Sequence, residues 1–349
     1  MMTYVLIIAG FALLFIGGEA LVRGSVSIAR TFGISELIIG LTLVGFGTSV
    51  PELVTSLRAI ETDAVGIAVG NVVGSNVANV LLVLGVAALL SPIITNPKAL
   101  TRDTVFMILV TVVFCALIWF DMFTRNVGIG LVSVLVVYLI FSIVFDRSSG
   151  NETGALHADE AATVETHDPI IIAIPMALFG VAAVIFGARY LVTGGVDIAR
   201  DFGVSETLVG LTVVAIGTSL PELATSAVSA LRGKSDVALG NIIGSNIFNI
   251  LGIMGITAIV HPFSVLAPQT AARGYGYGEA RPEAQSEVLL PLISSEHIGA
   301  LVLSVFLLLI FAFTSRKIAR WEGAVMLGAY ALYIYMSVEG SVAPAITPG

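Results

Sequence analysis

Gly47-Thr48-Ser49-Val50-Pro51-Glu52 and Gly217-Thr218-Ser219-Leu220-Pro221-Glu222 are one hexapeptide written twice, apart from a single aliphatic exchange. Both lie inside long apolar runs. An ionisable side chain at membrane depth is costly, so it marks a functional position. Here the carboxylate recurs at matched positions, beside a helix-breaking proline each time. Beyond the hexapeptide, Ile28 to Ala59 resembles Ile198 to Ser229. The similarity continues through Gly70-Asn71-Val72-Val73-Gly74-Ser75-Asn76 and Gly240-Asn241-Ile242-Ile243-Gly244-Ser245-Asn246, at the same offset of 170 residues. It fades after Pro92 and Pro262.

The surrounding composition is that of an integral membrane protein. Of 349 residues, 57% are hydrophobic and 11% charged, against about 25% charged in soluble domains. Mean hydropathy is +1.01. Apolar stretches of ~20 residues cross a bilayer as helices, and roughly ten are present. They cover 3–29, 34–60, 65–91, 103–120, 126–145, 169–199, 204–231, 235–260, 296–314 and 320–338. The alternating ~10-residue segments of a transmembrane barrel are missing. The expected fold is therefore all-α and membrane-spanning. The first run lacks a basic leader and exceeds the ~7–15 apolar residues of a signal peptide.

Several function classes drop out. The net charge of −8 resides largely in two loops, and no basic run suits nucleic acid. Cys115 is the single cysteine, which excludes an intrachain disulfide; it reads as a small lipid- or core-facing residue. No Walker-type loop is present, so ion gradients rather than ATP supply the energy. No nucleophile–base pair or metal cluster at depth points to an intramembrane enzyme.

Each half holds five expected spans, an odd number, so the second half enters the membrane from the opposite side. That is an inverted repeat, a recurring plan of secondary transporters. The expected division is 1–146, a linker at 147–168, and 169–349 with an outer loop at about 264–294. Basic residues favour cytoplasmic loops. With both termini outside, the cytoplasmic segments hold Arg30, Lys98, Arg102, Arg147, Arg232, Lys234, Arg316, Lys317 and Arg320. The outer segments then hold only Arg58, Arg125, Arg200, Arg273 and Arg281. The linker carries Glu152, Asp159, Glu160, Glu165 and Asp168 with His157 and His167; a solvated, flexible connection is the preferred reading over a regulatory cation site. The outer loop, with Gly274-Tyr275-Gly276-Tyr277-Gly278, suggests no function. Glu19 and Arg23, one turn apart on the first span, read as interfacial anchors rather than gate parts, and Arg189 stands at the position matching Glu19.

Around each glutamate the spacing is informative. Thr48 and Ser49 precede Glu52 by four and three residues and share its helical face; Thr218 and Ser219 stand likewise to Glu222. Pro51 lacks a backbone donor and its ring clashes with the Gly47 carbonyl, so the span should kink or unwind there. Unwound backbone at this depth is tolerated only where it is buried in protein or lines a cavity, and its freed carbonyls can coordinate cations, with Gly45 and Ala215 as candidates. In the next span of each half, Asn71, Ser75 and Asn79, and Asn241, Ser245 and Asn249, form one polar stripe. Helix–helix hydrogen bonding, with Gly70, Gly74, Gly240 and Gly244 allowing close approach, explains part of it. Asn71 and Asn241 look structural; Ser75, Asn79, Ser245 and Asn249 look like ligands.

The resulting set is all oxygen: carboxylate, hydroxyl, amide and carbonyl. Hard cations select oxygen, and calcium accepts irregular shells of about 6–8 ligands more readily than magnesium does. Zinc or copper would favour nitrogen and sulfur. Two facing carboxylates are neutralised by one Ca²⁺ or two Na⁺. Without a cation, like charge and desolvation both oppose the ionised pair. That is a physical basis for antiport.

These residues resemble the calcium/cation antiporter superfamily, in particular prokaryotic sodium/calcium exchangers. Gly-Thr-Ser-x-Pro-Glu with Gly-Asn-x-x-Gly-Ser, each present twice, carries the resemblance, which covers essentially the whole chain. It implies ten transmembrane helices as two inverted-topology five-helix repeats, in the plasma membrane, exchanging Na⁺ for Ca²⁺ by alternating access. It implies no cofactor, no nucleic acid and no obligate protein partner. Glu52 and Glu222 would be central ligands shared by Ca²⁺ and Na⁺. Thr48, Ser49, Thr218, Ser219 and the carbonyls of Gly45 and Ala215 would serve flanking Na⁺ sites, and Ser75, Asn79, Ser245 and Asn249 would complete a diamond-shaped cluster. The long first and sixth helices of the family slide over a fixed core; here they would be 3–29 and 169–199. Several members carry Asp where this chain has Asn249, which argues here against potassium co-transport. The proton/calcium branch typically carries Gly-Asn-x-x-Glu, absent here, which favours sodium. A proton-coupled calcium or manganese exchanger on the same scaffold is the alternative; a cation channel fits less well, lacking an obvious selectivity ring.

Overall fold

A computed structural model describes residues 2–61, 65–94, 97–148, 168–201, 215–268, 289–291, 295–314 and 317–342. The chain is mostly helical. Two long apolar helices, α1 (Met2–Phe32) and α9 (Ile170–Asp201), lie antiparallel against each other. Glycines make this approach possible. Gly10, Gly17 and Gly24 recur every seventh residue of α1, as do Gly180, Gly187 and Gly194 on α9. A Cβ on Gly17 would sit 2.7 Å from the Ala183 Cβ, and one on Gly24 would sit 2.7 Å from the Ala177 backbone nitrogen. A Cβ on Gly180 would run into the backbone of Leu21. Helices in lipid associate by such close packing, because apolar burial offers no gain between them.

The next segment is interrupted. Helix α2 (Glu36–Ile39) passes into a π-helical turn (Gly40–Val44), then α3 (Gly45–Thr48) and α4 (Val50–Glu61). The two parts are bent by 44°. The break falls at Ser49, with φ −86° and ψ 9°, ahead of the proline. Pro51 sits in the first turn of α4, where a missing N–H costs nothing. The second copy behaves alike: α10 (Ala215–Thr218) ends at Ser219, φ −88° and ψ 5°, and α11 (Leu220–Leu231) begins.

Two continuous spans form the buried centre. One comprises α5 (Val65–Ala78), a π-turn (Asn79–Val83) and α6 (Leu84–Leu90). The other comprises α12 (Ser235–Ile247), a π-turn (Phe248–Ile253) and α13 (Met254–Val260). Their most apolar windows are 78% and 83% buried, against 28–39% for the other long spans. The remaining helices flank them: α7 (Pro97–Trp119), α8 (Arg125–Ser148), α14 (Ser295–Thr314) and α15 (Arg320–Val342). Large apolar side chains such as Ile8, Trp119 and Ile171 point outward, as a lipid-facing surface requires.

Six of the described helices are long and apolar enough to cross a membrane, or seven if the bent pair counts as one span. The ten spans read from sequence are not matched by that count. Residues 202–214, most of the first half of one expected span, lie outside the described residues, and the apolar part of α14 (Ser295–Phe311) is short. The all-α expectation needs a small amendment. Ile93–Ile94 (β1) pairs antiparallel with Lys317–Ile318 (β4), and Leu266–Pro268 (β2) with Leu289–Pro291 (β3). Most of the linker (149–167) and the outer-loop tyrosines lie outside the described residues. Cys115 is half-buried on α7 with a free thiol.

Candidate cation site

The break at Ser49 turns that hydroxyl toward the other half of the chain. Ser49 Oγ donates to Glu222 Oε1 at 2.9 Å. The hydroxyls of Thr48 and Ser245 stand around the same carboxylate. Ser245 Oγ also donates to the Gly45 carbonyl at 3.1 Å. Thr48 Oγ1 lies 3.1 Å from the Val44 carbonyl, 3.3 Å from that of Gly45 and 3.2 Å from Asn241 Oδ1. Gly45 lets α12 come this close: a Cβ there would stand 3.1 Å from the Ser245 nitrogen. Glu52 lies close enough to Glu222 for the two charges to interact.

The bent helices are braced by two asparagines. Asn71 Nδ2 donates to the Glu52 carbonyl at 3.1 Å and to Ser56 Oγ at 3.0 Å. Asn241 Nδ2 donates to the Glu222 carbonyl at 3.3 Å and to Ser226 Oγ at 2.8 Å. Their amides are thus engaged with protein. The matched geometry ties each kinked helix to its following span, as packing between helices in lipid demands.

Thr48, Ser49, Glu52, Ser75, Asn79, Ser219, Glu222, Ser245 and Asn249 are all buried. Thr218 is half-buried, and Ala215 opens α10. The π-turns carry Asn79 and Asn249. The Asn79 turn packs against α11, which bears Glu222, and the Asn249 turn packs against α4, which bears Glu52. Each π-turn thus lies against the helix that carries the glutamate of the opposite half. π-turns concentrate at functional sites.

Many of these buried atoms have no protein partner. Both Glu52 oxygens, Glu222 Oε2, Ser219 Oγ, Asn79 Oδ1 and both polar atoms of Asn249 are unsatisfied. A buried polar atom left unpaired costs about 1–3 kcal/mol, more when charged. Such a concentration points to an external ligand. Every unpaired oxygen is a hard donor suited to an alkali or alkaline-earth cation. Among the described residues no group of three or more His, Cys, Asp or Glu could hold a metal, so the site rests on two carboxylates and neutral oxygens.

Sequence reasoning missed Asn246. It accepts from Asn79 Nδ2 at 3.1 Å and is buried. The four-residue stripe of Asn241, Ser245 and Asn249 passed over it because Asn246 stands one residue off that stripe, ahead of the π-turn on its own span. Glu19 and Arg23 on α1 each pair with a residue outside that helix. Arg232 holds Glu19 at 2.7 Å, and Arg23 grips Asp168 through two contacts at 2.7 and 3.0 Å. The side chains of Arg23 and Arg232 stay more than half exposed, 61% and 59%, so both pairs lie at the surface.

The profile of a family described as "Sodium/calcium exchanger protein" matches residues 2–144 and 172–339. The sodium/calcium exchanger MaX1 of Methanosarcina acetivorans is 32% identical over 363 residues, covering 95% of this chain and 97% of that protein. The inner membrane protein YrbG of Escherichia coli is 37% identical over 273 residues, 77% and 83% of the two chains. Among solved structures, the sodium-calcium exchanger NCX_Mj soaked with 10 mM Na⁺ and 10 mM Sr²⁺ superposes with a TM-score of 0.75 at 31% identity, covering 96% of this chain and 98% of that one.

Proposed function

The chain belongs to the sodium/calcium exchanger protein family, and from that premise we propose that it exchanges Na⁺ for Ca²⁺ across the plasma membrane by alternating access. The observation that carries the reading is the set of buried oxygens around Glu52 and Glu222 without protein partners. A divalent cation, or more than one Na⁺, neutralises the two carboxylates, whereas the ion-free charged pair is unfavourable in an apolar setting. The site therefore favours crossing the membrane loaded, and coupling follows from two ions competing for the same carboxylates.

Glu52 and Glu222 serve as shared ligands. Thr48, Ser49, Thr218, Ser219 and the carbonyls of Gly45 and Ala215 serve flanking Na⁺ positions, and Ser75, Asn79, Ser245 and Asn249 complete the shell. The chain divides into 1–146 and 169–349, two inverted five-helix repeats joined by a linker at 147–168, with an outer loop at about 264–294 and both termini outside. Na⁺ rather than H⁺ is the counter-ion on this reading. Ser75 and Ser245, rather than a second pair of carboxylates, follow the Gly-Asn-x-x-Gly motifs, so proton-exchanging groups are few and hydroxyl ligands many. The partners are the bilayer and the transported ions.

The reading is tested by Glu52→Gln and Glu222→Gln in proteoliposomes. Each substitution removes the charge and keeps the shape. Each should abolish calcium uptake into sodium-loaded vesicles, and normal exchange by both variants would remove the central site.

A further inference from the structure

Asn79 meets the other half of the chain through one hydrogen bond of defined direction. Its Nδ2 donates to Asn246 Oδ1 at 3.1 Å. Asn246 in turn donates from Nδ2 to the thioether sulfur of Met107 at 3.6 Å. Asn79, Asn246 and Met107 are each no more than 1% exposed. They come from the π-turn after α5, from α12 and from α7.

The order of these contacts decides which end of each amide points where. An asparagine side chain is nearly symmetric in shape but not in polarity, with two donors on one end and an acceptor on the other. A thioether sulfur can only accept. Met107 therefore selects the donor end of Asn246, which leaves the Asn246 oxygen toward Asn79. That oxygen selects the donor end of Asn79. The remaining end of Asn79 is its oxygen, buried and without a protein partner. The matched position in the other half is wired differently. Asn76 Nδ2 donates to the Val72 carbonyl of its own helix at 2.6 Å, and neither end of the Asn249 amide has a protein partner.

We propose that Met107 and Asn246 are positioning residues that fix the polarity of the Asn79 amide, so that it presents oxygen rather than N–H to the transported cation. This rests on the reading of Asn79 as a ligand. Turned over, the amide would aim its donors at a positive charge. Asn249 has no such relay, so the two amides of the site differ: one is locked as an acceptor, the other is set by the ion itself.

The test is equilibrium ⁴⁵Ca²⁺ binding to purified protein, with calcium uptake in proteoliposomes alongside, for Met107→Leu in the wild-type and Asn79→Asp backgrounds. Leucine keeps the volume and removes the acceptor. In the wild type it should weaken calcium binding about tenfold, the scale of lost outer-shell support for a metal ligand, with the maximal uptake rate kept. An aspartate at position 79 offers oxygen from either end, so Asn79→Asp should bind calcium and Met107→Leu should weaken it no further. An unchanged affinity for Met107→Leu alone overturns the proposal. So does the same loss in both backgrounds, which would be a packing effect, or the absence of calcium binding in Asn79→Asp. Asn79→Ala separates the two levels. Unchanged binding there removes Asn79 as a ligand, and the relay with it. Weakened binding there beside an unaffected Met107→Leu removes the relay alone.

Discussion

Ser49 Oγ donates to Glu222 Oε1 at 2.9 Å, tying the first hexapeptide to the carboxylate of the second. The reciprocal bond is not made: Ser219 Oγ and both Glu52 oxygens have no protein partner. The repeated motifs thus build a site that is not symmetric in detail. Glu222 is held by the protein, while Glu52 is left for the ion.

This asymmetry separates two otherwise equivalent serines. A hydrogen bond contributes about 0.5–1.5 kcal/mol net, and more where its acceptor is charged. Ser49→Ala should therefore lower the unfolding temperature of the ion-free protein in detergent, and Ser219→Ala should lower it much less. Thermal unfolding of the two variants in a chelator checks this. Equal shifts would show that the Ser49–Glu222 bond contributes nothing.

The bracing asparagines differ in the same sense. Asn71 serves two partners in its own half, whereas Asn241 also accepts from Thr48 across the halves. Truncating a buried amide leaves its partners unpaired, at about 1–3 kcal/mol each. Asn241→Ala should reduce both stability and uptake rate more than Asn71→Ala. Parallel unfolding and transport measurements decide the order.

The seam between α1 and α9 makes a steric prediction. Gly180 faces the Leu21 backbone with no room for a Cβ, while Gly130 on α8 has nothing within 4 Å. Gly180→Ala should destabilise by about 1–3 kcal/mol, the usual cost of overpacking. Gly130→Ala should be neutral or slightly stabilising, since alanine is favoured over glycine in a helix by about 1 kcal/mol. Thermal unfolding of the two variants gives the comparison directly.

Much of this was legible in the sequence because membrane spans and repeats leave strong signals. The long apolar runs predicted α1 and α9 to within a few residues. The bend was visible in Pro51 and Pro221, although it falls at Ser49 and Ser219, because a proline early in the following segment needs no relief of its own. The four-residue spacing put Asn71 and Asn241 on a polar stripe suited to hydrogen bonding between helices, but their partners, the Glu52 and Glu222 carbonyls with Ser56 and Ser226, belong to the preceding helix and are not visible in that spacing. The π-turns at Gly40–Val44, Asn79–Val83 and Phe248–Ile253 were hidden, since one wider turn inside a helix has no compositional signature. Asn246 escaped notice for a simpler reason: it stands one residue off the stripe of Asn241 and Ser245. The seven-residue glycine spacing on α1 and α9 was present in the sequence, and its repetition at the common offset of 170 residues was the signal that could have revealed the seam. Ion pairs such as Glu19–Arg232 join residues far apart in sequence, and spacing along one helix cannot show them.

The most direct measurement is ⁴⁵Ca²⁺ uptake into proteoliposomes under separately imposed Na⁺, K⁺ and H⁺ gradients. Sodium inside and none outside should drive calcium in. A potassium gradient or a pH gradient without sodium should not, and Glu52→Gln should remove the sodium-driven signal. Uptake driven as well by a pH gradient in the complete absence of sodium would contradict sodium/calcium exchange and assign the chain to proton-coupled antiport.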